Sequence, residues 1–531
     1  MFIDARELAE GSVINSDICI VGGGAAGITI AREFLDKSYK VCILESGGLE
    51  ADPGSQDLGK GKSVGVPYYQ VIDDKSFDRY LGGNTNRWAS FCRPFDEIDF
   101  EKRDWVPHSG WPFTRKDLEP YYERAQVVLK LDHPFNYETD YLSQQNTNPD
   151  FKPLPLEGED IETKMWQFNF PILRFGEDYR AVFETSQNTD IYLYSNVIEI
   201  ETNESGKAVT RLKVACLDGK QFSAEAKVFI LAMNGIEIPR IMLASNKQQT
   251  AGIGNQNDLV GRFFMEHPHF HRSGLVLIPD LESYPALYTN EAKKAETMGA
   301  LAPTRKFQEK ERILNYSATF DPTLKFWPNS QMTDGFISSL TAVFKDLRGM
   351  PERLLVKLGR KPRRRMNRTV LLDVTTRSEQ APNPDSRILL SRETDSLGVP
   401  RYEVDWRLTA LDKRTVTTTQ RAIAETLGRS GLGRMKIEFS QDLDEDAAPW
   451  DPSETEDCYF EGGWHHMGTT RMHEDPKQGV VDANCKVHGI ENLFIAGSSL
   501  FPTGSYANPM LTLVALALRL ADHLDSEIQT I

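Results

Sequence analysis

The apolar positions of this chain fall into short β-like runs that alternate with longer stretches of helical spacing. Asp17–Val21, DICIV, is a compact β-rich run, and it passes directly into GGGAAGITIAREFLDKSYKVCILESGG. That segment reads as tight turn, helix and second strand, the second strand being CILE. The pattern returns in VFILAMNGIEIPRIMLAS, where a buried strand is followed by Gly235 and a helix opened by Pro239. It returns again in NLFIAGSSLFPTGSYANPMLTLVALALRLAD, which predicts a strand at FIAG, a Gly/Ser/Pro loop and a long apolar helix starting near Asn508 and Pro509. LEPYYERA adds a helical segment after the Trp-rich DWVPHSGWPF. The order of these elements predicts an α/β fold.

Two further patterns stand apart. FFMEHPHFHR places His267, His269 and His271 at alternate positions, on one face if the segment is a strand. Phe344–Arg368, FKDLRGMPERLLVKLGRKPRRRMNR, is strongly basic, with Leu and Val spaced to allow an amphipathic helix. It reads either as a solvated insertion or as a docking surface for an electron-acceptor protein, a subunit or a membrane face.

At 531 residues the chain is long enough for several domain equivalents. Its formal charge of -16 would repel a phosphate backbone, so nucleic acid is not an expected partner. The six cysteines are scattered without CxxC spacing, which favours neither a disulfide framework nor a zinc site. The N-terminal MFIDARELAEGSVINSD has no apolar core of the signal-peptide kind, and the apolar C-terminal run is broken by Arg519, Asp522 and His523. A cytoplasmic protein without a membrane span is expected.

The first turn carries chemistry. Gly22, Gly24 and Gly27 form GxGxxG, in which missing side chains let backbone N–H groups at a helix N-terminus approach a pyrophosphate. Glu45 closes the second strand where an acid is expected to bond a ribose hydroxyl. This motif does not choose between NAD and FAD. RYLGGNTNRWASFCRP adds a glycine pair, Gly82 and Gly83, then Asn84, Thr85 and Asn86 with groups suited to hydrogen bonding. The N-terminus of the last long helix is placed to meet a flavin's polar edge.

Taken in order, the N-terminal fingerprint, GGNTNRW, DWVPHSGWPFTRKDLEPYYERA, EQAPNPDSRILLS, HHMGTTRM and NLFIAGSSLFPTGSYANPMLT resemble the glucose-methanol-choline (GMC) oxidoreductases, FAD enzymes that oxidise alcohols. The similarity covers nearly the whole chain. The nearest branch contains pyranose and glycoside oxidases and the large subunits of sugar-acid and fructose dehydrogenases. What the resemblance implies is a Rossmann-like FAD-binding domain interleaved with a substrate-binding domain built on an antiparallel sheet. The first would comprise residues 1–100, 190–272 and 455–531; the second, 101–189 and 273–454, with the basic insertion 344–368. Cofactor contacts would fall on Gly22, Gly24, Gly27, Glu45, Gly82, Gly83, Asn84, Thr85, Asn86, Val197, Gly235, Gly497, Asn508, Pro509 and Met510.

The family's catalytic base stands three residues before the Gly of a His-x-x-Gly-Thr motif. By that register it is His465, ahead of Gly468 and Thr469. His466 would point to the opposite face of an extended segment. A neutral imidazole suits the work because it can take an alcohol's proton while a hydride leaves carbon. The second catalytic position falls on Asn508, which would orient the substrate oxygen without titrating; a helix N-cap before Pro509 is the structural alternative. Several family members attach the flavin covalently to a His just before the Trp of GGxxxHW, but here that position is Arg87. Noncovalent FAD is therefore expected, with Arg87 either balancing flavin or phosphate charge or standing as a structural arginine.

A zinc site on His267, His269 and His271 is a rival reading, opposed by Pro268 and by the lack of a neighbouring Cys or carboxylate pattern, so no metal is expected. His267 is expected nearer the active site. The predicted activity is oxidation of a secondary alcohol, a sugar or glycoside hydroxyl, to a carbonyl, with oxygen, a quinone or a partner subunit as electron acceptor. A non-sugar alcohol, a non-redox flavin lyase, a non-catalytic subunit and an NAD dehydrogenase remain as alternatives.

Overall fold

The strand Val13–Val21 has parallel neighbours on both sides, Val41–Leu44 and Gln221–Leu231, in the computed structural model of the chain. Its inner end, Val41–Leu44 and the last four residues of Gln221–Leu231 are continuous apolar runs because each face of the sheet is covered there. The structure describes residues 1–145, 150–279, 284–322, 370–438, 450–452 and 459–528. The basic stretch 344–368 lies outside the described residues.

This first sheet has eight strands. Outward from Val41–Leu44 come Thr189–Leu193 and then Phe2–Asp4, all parallel. On the other side Gln221–Leu231 pairs in parallel with Leu493–Ile495 and antiparallel with Val209–Ala215, which pairs with Asn196–Thr202. The predicted strands at DICIV, CILE, VFIL and FIAG therefore lie in one sheet. The helix Ala25–Glu33 follows the first strand, and the C-terminal helix Met510–Ile528 packs on it and on Arg115–Val128. The apolar stripe of that last helix is buried in the same core as the sheet.

The second sheet is antiparallel. Its seven strands are Arg434–Ile437, His269–Ile278, Val370–Ser378, Tyr316–Pro322, Thr297–Pro303 and Ile161–Gln167, with Tyr459–Glu461 added on His269–Ile278. The helix Ala410–Arg429 packs on these strands and is started by a reciprocal cap between Thr409 and Asp412. A small third sheet joins Gly61–Ser63 to Arg387–Thr394 and Pro400–Asp405.

Each large sheet has its own apolar core. The chain crosses between them repeatedly: Trp111, Leu118 and Tyr122 pack in the core of the first sheet, and Met165 and Trp166 in that of the second. The mixed α/β architecture with a Rossmann-like sheet beside an antiparallel one is the fold class the sequence predicts. Among the described residues no helix is long and apolar enough to cross a membrane.

Candidate active site

The two sheets meet along a cavity of roughly 480 Å³ that begins at the glycine turn and ends among histidines. At its first end Gly22 takes φ +105°, which favours glycine. A Cβ on Gly27 would lie 2.0 Å from the Gly22 carbonyl oxygen, so the helix approaches the turn only without one. Gly24 is the N-cap of Ala25–Glu33 and no side chain caps it, which leaves the N-terminal N–H groups open to a ligand. The Glu45 carboxylate accepts from Gly23 N at 2.7 Å and from Gly47 N at 2.9 Å. Oε1 also accepts from Ser46 Oγ at 3.2 Å, so Oε2 is the oxygen that keeps acceptor capacity for a hydroxyl.

The cavity wall continues through Gly83, Asn84 and Thr85, then Val197, Gly235, Gly497, Asn508, Pro509 and Met510. Gly27, Gly82 and Asn86 stand behind that wall: Gly82 adopts φ +99°, and Asn86 Nδ2 donates to the Leu81 carbonyl at 3.0 Å. Asn84 and Thr85 are also pinned locally, Asn84 Oδ1 accepting from Asp78 N and Thr85 Oγ1 donating to the Gly82 carbonyl. Arg87 lines the cavity but its guanidinium is held by the Asp78 carboxylate and the Lys75 carbonyl. A glycine cradle, an uncapped helix N-terminus and a buried acid at the strand end fit a dinucleotide cofactor, and the far end of the cavity lies at Asn508 and His465.

At that far end the backbone turns on Trp464, φ +59°, and on Gly468, φ +83°. A Cβ on Gly468 would meet the Phe263 carbonyl oxygen at 2.2 Å. Thr469 Oγ1 ties the turn to the Gly235 carbonyl at 2.7 Å. The adjacent histidines then diverge. His466 is buried with Nε2 2.9 Å from the Tyr68 hydroxyl, and burial pushes its pKa down to about 3. His465 faces the cavity, its Nε2 3.4 Å from Asn508 Nδ2.

A short chain of bonds sets the His465 tautomer. His267 Nε2 lies 3.0 Å from the Gly504 carbonyl, which can only accept, so that nitrogen carries the proton. Burial pushes the His267 pKa down to about 4, and the neutral ring's Nδ1 is therefore a lone pair. His465 Nδ1 lies 2.8 Å from it and must donate. The remaining nitrogen of His465, Nε2, presents its lone pair to Asn508 and the cavity. Burial, followed by the His267 ring and Arg377, holds the His465 pKa well below the usual histidine value. The imidazole is neutral at neutral pH.

Glu266 anchors both rings. Its carboxylate accepts from the backbone N–H of His465 at 2.9 and 3.0 Å, of Gly463 at 2.8 Å and of His267 at 3.1 Å, and bonds the Tyr68 hydroxyl. Burial raises it to about 7 against the pull of those donors. Sequence reading passes over this residue, although its place beside His267 in MEHPH is a signal once the histidines are known. Tyr68 gives no such signal.

The three alternating histidines do not share one site. His267 belongs to the His465 pair, while one ligand atom each from His269, His271 and Glu461 lie within 4.8 Å of one another. Glu461, from the added strand, is a carboxylate that local sequence does not bring near. His271 Nε2 already bonds Glu461 Oε1 at 2.8 Å, and Arg377 stands directly across from His269 in the next strand, where its charge opposes a cation.

A family model described as GMC oxidoreductase matches residues 382–517. The chain is 23% identical to the fructose dehydrogenase large subunit of Gluconobacter japonicus, the match covering 96% of this chain and 97% of that protein. It is 24% identical to 6'''-hydroxyparomomycin C oxidase of Streptomyces lividus over 96% of this chain and 92% of the relative. Among solved structures, an Aspergillus oryzae formate oxidase studied for its FAD modification superposes with a TM-score of 0.57 at 16% identity, covering 98% of this chain and 100% of the other. That likeness shows the fold.

Proposed function

We propose that the chain, which a GMC oxidoreductase family model matches over residues 382–517 and which is similar along its length to the fructose dehydrogenase large subunit, is an FAD-dependent enzyme that oxidises a secondary hydroxyl of a sugar or glycoside to a carbonyl, with His465 as base. The observation that carries this reading is the convergence of the His465 Nε2 lone pair and the Asn508 amide on one point at the inner end of the cavity. A hydroxyl placed there donates its proton to His465 Nε2 and accepts from Asn508 Nδ2. As the proton arrives, the Nδ1–H of His465 stays bonded to His267, so the ring does not turn and its new charge meets an acceptor. Bound FAD supplies the two-electron acceptor for the hydrogen that leaves the carbinol carbon. Glu266 and the turn at Gly468 keep the ring from drifting by fixing the backbone on either side.

The cofactor is assigned to segments 1–100, 190–272 and 455–531, and the substrate to 101–189 and 273–454. Noncovalent attachment follows from Arg87, which supplies no imidazole where covalent members have one. The sugar reading rests on relatives that act on fructose and on an aminoglycoside.

An anaerobic screen tests the whole reading. Purified protein is mixed with sugars, glycosides and simple alcohols while the flavin absorbance near 450 nm (roughly the isoalloxazine band) is followed, and reduced samples are then exposed to air or a quinone. Bleaching by a sugar and recovery with one acceptor supports it. A colourless protein, or a yellow one that no alcohol bleaches, ends it.

A further inference from the structure

Two cations flank the aromatic wall of this cavity without a carboxylate to answer them. Arg377 lies on Val370–Ser378, directly opposite His269 of the neighbouring strand and therefore on the same face. The His269 ring is 6.1 Å from the ring of the proposed base His465 and stands between it and Arg377. Arg377 lines the cavity, and its guanidinium Cζ is 5.2 Å from the centre of the Phe91 ring. Lys293 lies against the same ring and its neighbour, with Nζ 4.3 Å from the Phe91 centroid and 5.8 Å from that of Phe168.

Among the described residues no carboxylate lies within 4.0 Å of either cation; the one hydrogen bond of Arg377 is a long contact to Thr319 Oγ1 at 3.4 Å. Asp321 is the acid that acts on both from a distance, and its two oxygens are engaged by Asn290 Nδ2 at 2.9 Å and Thr375 Oγ1 at 2.8 Å. Two other buried arginines are paired with carboxylates, Arg103 with Glu379 and Arg240 with Glu237 and Asp395, while Arg471 hydrogen-bonds the His108 carbonyl alone among the described residues. Burial and the neighbouring guanidinium push the Lys293 pKa down to about 8. His269 adds a second unanswered group, a buried Nε2 that finds no partner among the described residues. Holding a guanidinium partly out of water with no counter-charge is unfavourable, and the imbalance is removed when an anion enters.

We propose that the alcohol oxidised here carries an anionic group, a carboxylate or a phosphate, which docks on the Arg377 fork with Lys293 adding charge from beside Phe91 and His269 Nε2 bonding the intervening part of the molecule. This rests on the oxidoreductase reading and narrows its substrate from sugars in general to acidic ones. A planar guanidinium takes a carboxylate or phosphate by two parallel bonds. The opposite end of the substrate is then fixed relative to His465, which selects the hydroxyl that reacts.

The test compares matched substrates on the flavin-loaded protein. Glucose and methyl glucoside are set against glucuronate, gluconate and glucose 6-phosphate in anaerobic flavin reduction. The anionic compounds are expected to half-saturate at concentrations at least about 10-fold below their neutral counterparts, and the uronate and phosphate arms separate the two sources of charge. Arg377→Met is expected to raise that concentration about 30-fold or more for the anions, at least about 10-fold more than any change it makes for neutral sugars, with Arg377→Lys between. Lys293→Met gives a smaller loss of the same selectivity and serves if the Arg377 variant fails to fold. Equal use of neutral and acidic substrates, or an equal loss on both in the variants, overturns the inference and leaves the alcohol oxidation standing. If no alcohol of either kind bleaches the flavin, the oxidoreductase reading fails instead; the anion site is then judged by thermal stabilisation with acetate or inorganic phosphate, which must be present in wild type and absent in Arg377→Met.

Discussion

The Nδ1 atoms of His465 and His267 face each other at 2.8 Å and share a single proton, whose ownership is decided by the Gly504 carbonyl on the far side of His267. This arrangement makes His267 a positioning residue for the proposed base. Replacing it by Leu removes the acceptor and frees the His465 ring to rotate or change tautomer. Flavin reduction by a saturating substrate is expected to slow about 10- to 100-fold, with flavin content and half-saturating concentration nearly unchanged. His267→Gln, whose amide oxygen can accept the same proton, should recover part of the rate. A Leu variant as fast as wild type in rapid-mixing measurements would remove this role.

His465 itself and Asn508 make a graded pair. Loss of a general base is worth about 10²- to 10⁴-fold, so His465→Ala should reduce its flavin slower by that factor. Asn508→Ala should lose about 10- to 100-fold, because it orients the oxygen and holds no proton. Both variants should remain yellow, and stopped-flow traces of the two side by side supply the check; an Asn508 variant slower than the His465 variant would reverse the assignment.

The cofactor end of this site is legible in sequence because it is local. Gly22, Gly24, Gly27 and Glu45 lie in one βαβ unit, and the steric reasons for three glycines and one acid act over a single turn. The divergence of His465 and His466 is legible for a related reason, since an extended backbone alternates its side chains. Tyr68 and Arg377 are not legible, and Glu266 is so only by its place beside His267. Each enters through pairing between strands or loops far apart in the chain, as when Val370–Ser378 brings Arg377 opposite His269, and no local periodicity encodes that register. Glu461 completes a His–carboxylate contact in the same way, from a three-residue strand too short to carry a pattern.

The glycine turn yields a prediction about colour and not about rate. A methyl group on Gly27 would lie 2.0 Å from the Gly22 carbonyl oxygen and 3.2 Å from the Ile20 side chain, so helix and turn have to part. Gly27→Ala is expected to purify with little flavin, or to be insoluble. Gly24→Ala meets nothing within 4 Å and should be the milder change. The ratio of visible to protein absorbance reads both, and a fully flavinated Gly27→Ala would show that the turn is not where the cofactor rests.

The buried titratable groups around His465 push stability in opposite directions with pH. His466 is held near pKa 3, against 6.5 when unfolded. Below pH 6.5 the unfolded chain binds a proton that the folded chain refuses, so this residue makes stability fall as pH falls from 6.5 toward 3. The slope is about 1.4 kcal/mol per pH unit. Glu266 is raised to about 7 from 4.5, so the folded chain holds a proton that the unfolded chain gives up. Its contribution is present below 4.5 and is lost as pH rises through 7. Whole-protein curves mix the two, but differences separate them. His466→Gln should be closest to wild type at pH 5, where the wild-type histidine is already a burden, and fall behind it at pH 7. Glu266→Gln should fall least behind at pH 7.5, where wild type has lost its proton, and most at pH 5.5. Denaturant unfolding of the flavin-loaded proteins at those pH values measures both, and parallel curves for wild type and either variant would show that the residue titrates alike in the folded and unfolded chain.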